Sequence, residues 1–264
     1  MRTSHTFLLT VLCLTLLHNQ PLCAQNKLPV DTDDDNFKTV TTFGVTTNTN
    51  AGLIGGFVYR QSKVLPGTLF GKKQHQYLSL EVVNIKHPKE VQSAAGNFGG
   101  RFVYGKENYL FVIRPQYGRE ITLFQRNADE GVAVNAIFAV GPSLGIIKPY
   151  YVKIKEGNRE YTAPYASTID ANGVRKNVID KGGFFEGFGQ SKFTVGLNVK
   201  TAVSFELSAF RNNTTGVEIG FLTEIFPQKI VIIPNADPRL GGKDIGNRSF
   251  FTSGYITLFF GSKK

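Results

Sequence analysis

Residues 194–210, TVGLNVKTAVSFELSAF, alternate with a period of two: Val195, Leu197, Val199, Val203, Phe205 and Leu207 share one parity, and Asn198, Lys200, Ser204, Glu206 and Ser208 the other. That period puts successive side chains on opposite faces of a β-strand. One face is therefore apolar, and the other carries a lysine and a glutamate. The pattern recurs. In residues 216–226 (GVEIGFLTEIF), Val217, Ile219, Phe221 and Ile225 oppose Glu218, Gly220 and Glu224. In residues 108–124, Tyr109, Phe111, Ile113, Tyr117, Ile121 and Leu123 oppose Arg114, Gln116, Gly118, Glu120 and Thr122. In residues 135–146, Ala136, Phe138, Val140, Leu144 and Ile146 oppose Asn135, Ala139, Gly141, Ser143 and Gly145.

Runs of this kind, bounded by Gly, Asn, Asp or Pro clusters, predict strands over 38–49, 53–64, 74–87, 107–126, 131–153, 193–211, 214–227 and 250–261. Helix signals are scarce. A soluble sandwich also alternates, but its strands usually run about five or six residues, whereas a tilted strand needs about nine to eleven to cross a bilayer. These runs have the spanning length. Their polar parity is rich in Gly, Ser, Ala and Asn with a few charges, which suits a crowded interior better than a wet surface. Aromatic residues stand near run ends, at Tyr59, Tyr77, Tyr109, Tyr150, Tyr151, Phe226, Phe250, Phe251, Phe259 and Phe260, where interfacial girdles are expected. The sequence thus predicts an all-β fold, an antiparallel transmembrane β-barrel of about eight strands over 38–264.

Connections between the runs support this reading. They are short at 49–52, medium at 65–73, long at 88–106, short at 127–130, very long at 154–192, short at 212–214 and long at 228–249. Long loops at one end and mostly shorter links at the other are the habit of outer-membrane barrels. The long loops carry Lys89, Arg101, Lys106, Lys155, Arg159, Arg175, Lys176, Lys181, Lys192, Lys229, Arg239, Lys243 and Arg248, cations suited to lipopolysaccharide phosphates.

About eight strands enclose only enough room for side chains. Glu81, Arg114, Glu120, Lys200, Glu206, Glu218 and Glu224 fall on the inward parity. Charges in so narrow a space persist when paired and hydrogen-bonded, so they are expected to form a structural ion-pair network. A proton or ion path through a narrow pore is the alternative use of the same groups.

The ends of the chain add context. Arg2 precedes the apolar run FLLTVLCLTLL (7–17), and LCAQ follows. This layout predicts a secretory signal over 1–24, cleaved after Ala24, because the apolar run is too short to span a bilayer. Both cysteines, Cys13 and Cys23, fall within it, leaving no thiol for a disulfide or metal site. The acidic segment DTDDDN (31–36) completes a linker over 25–37; Asn36 and Thr42 stand where a calcium loop needs glycine and glutamate. A net charge of +10 raises nucleic acid as a partner. The basic residues are dispersed and the chain reads as exported, so an anionic membrane surface is the expected counterpart and nucleic acid is not.

Few residues could carry catalysis. Beyond the leader the histidines are His75 and His87. His87 lies in NIKHPKE with Lys86, Lys89 and Glu90 beside it, Ser93 close by and Lys106 in the same long loop. A lipid A-modifying hydrolase using His87 with a serine and Glu90 is the enzymatic alternative. No metal cluster or phosphate-cradling loop spacing appears, and no cofactor is expected.

The signal ending CAQ, the strand end NIKHPKE, the stretches YGKENYLFVIRPQYGRE and VGPSLGIIKPYY, and the closing FFTSGYITLFFGSKK resemble small outer-membrane β-barrel proteins of Bacteroidota, the PorT-like group. The resemblance covers nearly all of the chain beyond the leader. It implies an antiparallel barrel in the bacterial outer membrane, with an accessory or structural role in envelope assembly or protein secretion. The terminal GSKK departs from the pattern, since the last aromatic of an insertion signal usually stands at the terminus.

Overall fold

The computed structural model describes residues 38–264 apart from 89, 95–99, 126–130, 170–175, 208–212 and 235–246. The expected signal over 1–24, the linker over 25–37 and Lys89 lie outside the described residues. The strands are β1 (Thr39–Asn48), β2 (Gly52–Leu69), β3 (Lys72–Ile85), β4 (Gln92–Ala94), β5 (Arg101–Val103), β6 (Asn108–Phe124), β7 (Ala133–Pro149), β8 (Tyr151–Glu156), β9 (Arg159–Pro164), β10 (Val178–Lys181), β11 (Lys192–Glu206), β12 (Asn213–Ile230) and β13 (Arg248–Lys263).

Eight long strands form a closed antiparallel barrel in the order β1-β13-β12-β11-β7-β6-β3-β2. Closure is made by β1 on β13, from Val40 opposite Lys263 to Asn48 opposite Tyr255. Closing the ring removes the unpaired edges that an open sheet would expose. The barrel strands run from 10 to 18 residues, long enough to cross a bilayer when tilted. Antiparallel alternation gathers the connections β1–β2, β3–β6, β7–β11 and β12–β13 at one end, the loop end, and the chain's last residues with the other turns at the opposite, turn end.

The two faces sort as the period of two predicts. Val195, Leu197 and Val199 of β11, Ile219, Phe221 and Ile225 of β12, and Leu78, Leu80 and Val82 of β3 point outward and are exposed. Asn198, Lys200, Ser204, Glu206, Glu218, Glu224, Ser79 and Glu81, their neighbours in sequence, are buried in the lumen. This is the inverse of a water-soluble barrel. Glycine makes room where the wall is tightest: a Cβ on inward-facing Gly118 would lie 2.0 Å from the Phe138 carbonyl oxygen, and one on Gly220 2.6 Å from the Ala202 Cβ.

Three expectations are corrected. The medium link at 65–73 is mostly strand: β2 and β3 continue past a bulge between Val64 and Thr68 to a turn at Phe70 and Gly71, both with positive φ. The very long loop is folded, with β8, β9 and β10 in a separate three-stranded sheet. The aromatic girdle is smaller than position along the runs suggests. Tyr59, Phe250 and Phe260 face outward, but Tyr77, Tyr150, Phe226, Phe251 and Phe259 are buried. The reason is parity. Tyr77 shares its face with Ser79 and Glu81, and Phe251 and Phe259 share theirs with Ser253 and Thr257, so these rings fill the lumen.

Candidate functional site

The inward residues meet across the barrel in one connected ladder. Each comes from within a barrel strand, where alternation aims it at the axis and burial forces it to find a partner. Nearest the turn end, Glu120 of β6 accepts from the Ser62 hydroxyl and from Arg60 Nη2 of β2 at 2.8 Å. Arg60 Nη1 donates to Glu218 of β12 at 3.1 Å. Glu218 also receives Lys200 Nζ of β11 at 2.9 Å and the Tyr255 hydroxyl of β13 at 2.6 Å. Lys200 reaches Glu81 of β3 at 2.5 Å and the Tyr77 hydroxyl at 3.2 Å. Arg114 of β6 lies 3.5 Å from Glu81 and clasps Glu224 of β12 with two bonds, of 3.1 and 2.8 Å. Beside it, Ser79, Gln116, Asn198 and Ser143 form a neutral hydrogen-bonded cluster.

Six of the seven lumen residues named from the sequence therefore join, five through one another and Glu120 through Arg60. Glu206 does not enter the ladder; it pairs with Lys263 at 3.3 Å near the turn end. Sequence reasoning missed Arg60, which bridges two glutamates and lies 4.9 Å from the Phe259 ring centre. The available signal was parity: Phe57 and Tyr59 face outward, so Arg60 and Ser62 face in.

Toward the loop end the lumen becomes apolar. Val83, Ile85, Leu110, Val112, Phe226, Ile230 and Phe251 from the wall pack with Ile232 and Ile233 from the β12–β13 loop. Asn247 holds that loop in place, its Oδ1 accepting the Ile232 and Ile233 N–H groups at 2.9 and 3.3 Å. The Ile232 carbonyl in turn accepts the N–H of Glu107 at 2.9 Å. An apolar plug thus sits on the charge ladder.

Beyond the plug, the loops make a folded cap. Tyr150, Val152, Ile154, Tyr165 and Val178 form its core, with Phe102 and Tyr161 packed against them. Tyrosine hydroxyls tie the loops together: Tyr150 accepts the Val103 N–H at 3.0 Å and Tyr165 the Gly105 N–H at 2.9 Å. Arg101 N–H donates to Asp180 at 3.1 Å, joining β5 to β10. Burial pushes the Tyr150 hydroxyl well above the ordinary tyrosine value. On the exposed side, hydrogen bonds to Tyr161 and Glu156 push Lys176 up to about 12, and Lys176 and Tyr161 hold Glu156 below the usual carboxylate range.

The loop candidates centre on Glu90, whose Oε1 accepts Lys106 Nζ at 2.5 Å and the backbone N–H of His87 at 3.3 Å. Lys106 also stands 4.1 Å above the Tyr109 ring. Lys86 is exposed and His87 buried. Among the described residues, no group of three or more His, Cys, Asp or Glu side chains is placed to hold a metal ion.

No protein-family model and no curated protein matches the chain. Among solved structures it is similar to Ail, the attachment invasion locus protein of Yersinia pestis, crystallised in complex with the heparin analogue sucrose octasulfate, at 8% identity and TM-score 0.38, over 86% of this chain and 99% of Ail. Neisserial surface protein A gives 9% identity and TM-score 0.37 over 86% of this chain and 97% of its own. The fold described above stands on its own strand pairing.

Proposed function

We propose that the chain is a bacterial outer-membrane β-barrel without enzymatic or channel activity, whose folded outward loops are its working surface. One observation carries this reading: a closed ring of spanning-length strands has an apolar exterior and a connected ion-pair ladder inside, capped by an apolar plug. Only hydrocarbon solvates such an exterior without cost, and no water-filled path is needed to account for the lumen charges. The loop end then faces outward and the turn end the periplasm. A cap with its own core holds a recognition surface ready-made, which lowers the entropy cost of binding. The likeness of the sequence to the PorT-like group supports a partner in envelope assembly or secretion, and the loop cations suit lipopolysaccharide phosphates as a second contact.

Folded protein in a planar bilayer is expected to be electrically silent; a steady unitary conductance would revive the narrow-pore reading. Release from membranes by alkaline carbonate without detergent would remove the barrel reading altogether. For the partner role, photocrosslinkers at Asn158 in the cap and at Leu197 in the apolar belt give the contrast. A discrete protein adduct is expected from the cap position alone, and its absence from envelope preparations removes the accessory role.

A further inference from the structure

Residues 184–188, FFEGF, lie in the β7–β11 loop just before β11. A soluble loop tip usually carries small polar residues, yet Phe184, Phe185 and Phe188 are 61%, 82% and 39% exposed. The turn is well held. The Gly183 N–H donates to Glu186 at 2.7 Å, and the Tyr151 hydroxyl donates to Gln190 at 3.0 Å. Gly187 has φ 82° and packs so close to Tyr151 that a Cβ would lie 2.6 Å from the ring. The three rings pack on one another at 5.2 to 6.3 Å, and Phe184 and Phe188 lie 5.9 and 6.4 Å from Phe111.

Phe111 belongs to the outward parity of β6, and directly after the turn β11 begins its outward series with Phe193, 79% exposed. The aromatic turn is therefore continuous with the apolar belt of the barrel and extends it at the loop end. Underneath lies Lys148, the last outward residue of β7, whose ammonium stands 5.0, 5.8 and 5.3 Å from the rings of Tyr109, Phe184 and Phe188. Without the turn, this cation would break the outward apolar series formed by Phe138, Val140, Leu144 and Ile146.

We infer that the FFEGF turn is a membrane anchor: Phe184, Phe185 and Phe188 enter the acyl chains at the rim of the outer leaflet, fastening the longest loop to the bilayer beside β6, β7 and β11. This rests on the barrel reading above. Continuity with the belt selects lipid as the occupant, because the same hydrocarbon that covers Phe111 and Phe193 reaches the rings beside them. The anchor fixes one edge of the cap and shields Lys148 from the acyl chains.

The chain has no tryptophan, so a single introduced indole reports without background. Phe185→Trp, Leu197→Trp in the belt and Asn158→Trp at the exposed β8–β9 turn are compared in vesicles containing lipids brominated on the acyl chain, and against aqueous acrylamide. Phe185→Trp is expected to emit to the blue and to be quenched by brominated lipid about as strongly as Leu197→Trp, with little response to acrylamide. Acrylamide quenching equal to that of Asn158→Trp overturns the anchor. Protection from both quenchers also overturns it, since protein, such as a second copy, would then cover the patch. If Leu197→Trp itself escapes brominated lipid, the barrel reading fails first.

Discussion

Two lysines equally hidden from solvent, each 1% exposed, show how differently the inside and the outside of this barrel handle charge. Lys200 lies in the lumen between Glu81 and Glu218, at 2.5 and 2.9 Å. Lys148 lies on the outer wall under the rings of Tyr109, Phe184 and Phe188. Inside, strands from around the ring bring carboxylates to every cation, because all inward positions converge on one axis. Outside, neighbouring side chains diverge, so shielding has to come from a loop folded back onto the wall. A buried ion pair loses about 3–5 kcal/mol when one partner is removed, whereas a cation over an aromatic ring gains about 0.5–2 kcal/mol. The lumen is thus the costlier place to disturb.

Removing the most connected acid tests that ranking most severely. Glu218→Ala takes one partner each from Arg60, Lys200 and Tyr255, leaving Arg60 on Glu120 and Lys200 on Glu81, and is expected to destabilise the folded barrel by about 3–5 kcal/mol, read from urea unfolding in lipid vesicles. A loss near zero would mean that the ladder carries no structural weight. The mirror experiment places a cation on the wall without a covering loop. Val199→Arg faces outward beside Thr223 and Val140, and at the middle of β11 it should cost about 2–4 kcal/mol in the same assay. Equal stability of wild type and variant would invert the assignment of faces.

Much of this contrast was legible in the sequence because alternation is local. The parity of 194–210 and 216–226 already separates Lys200, Glu206, Glu218 and Glu224 from the apolar face, and the eight runs match the eight barrel strands to within a few residues at most ends. Which glutamate meets which cation was not legible, since partners such as Arg114 and Glu224 are brought together only by barrel closure. Arg60 escaped because Gly55 and Gly56 interrupt its strand's alternation and Val58 puts an apolar side chain in the lumen. The plug escaped for a different reason. Ile230, Ile232 and Ile233 are conspicuous as apolar residues, but only the return of the loop over the mouth joins them to Val83 and Leu110. Likewise FFEGF reads as a loop until its rings are seen against Phe111.

Lys106 combines both devices and so sharpens the comparison. Glu90 bonds its ammonium as in the lumen, and the Tyr109 and Tyr150 rings lie 4.1 and 6.0 Å away as on the wall. Burial still pushes this lysine below its ordinary value; Glu90 offsets only part of that, and Lys86 and Lys148 add to the depression. The folded state therefore binds this proton less tightly than the unfolded chain does. Below the folded value the charged form is carried at a cost. As pH rises from the folded value to the unfolded one, the unfolded state holds more proton, and folding stability gains from this group. Lys106→Met removes the group. The stability difference, wild type minus Lys106→Met, is thus expected to rise as pH approaches the ordinary lysine value, by less than either change above. A difference that falls over that window would show that the carboxylate, and not burial, governs Lys106.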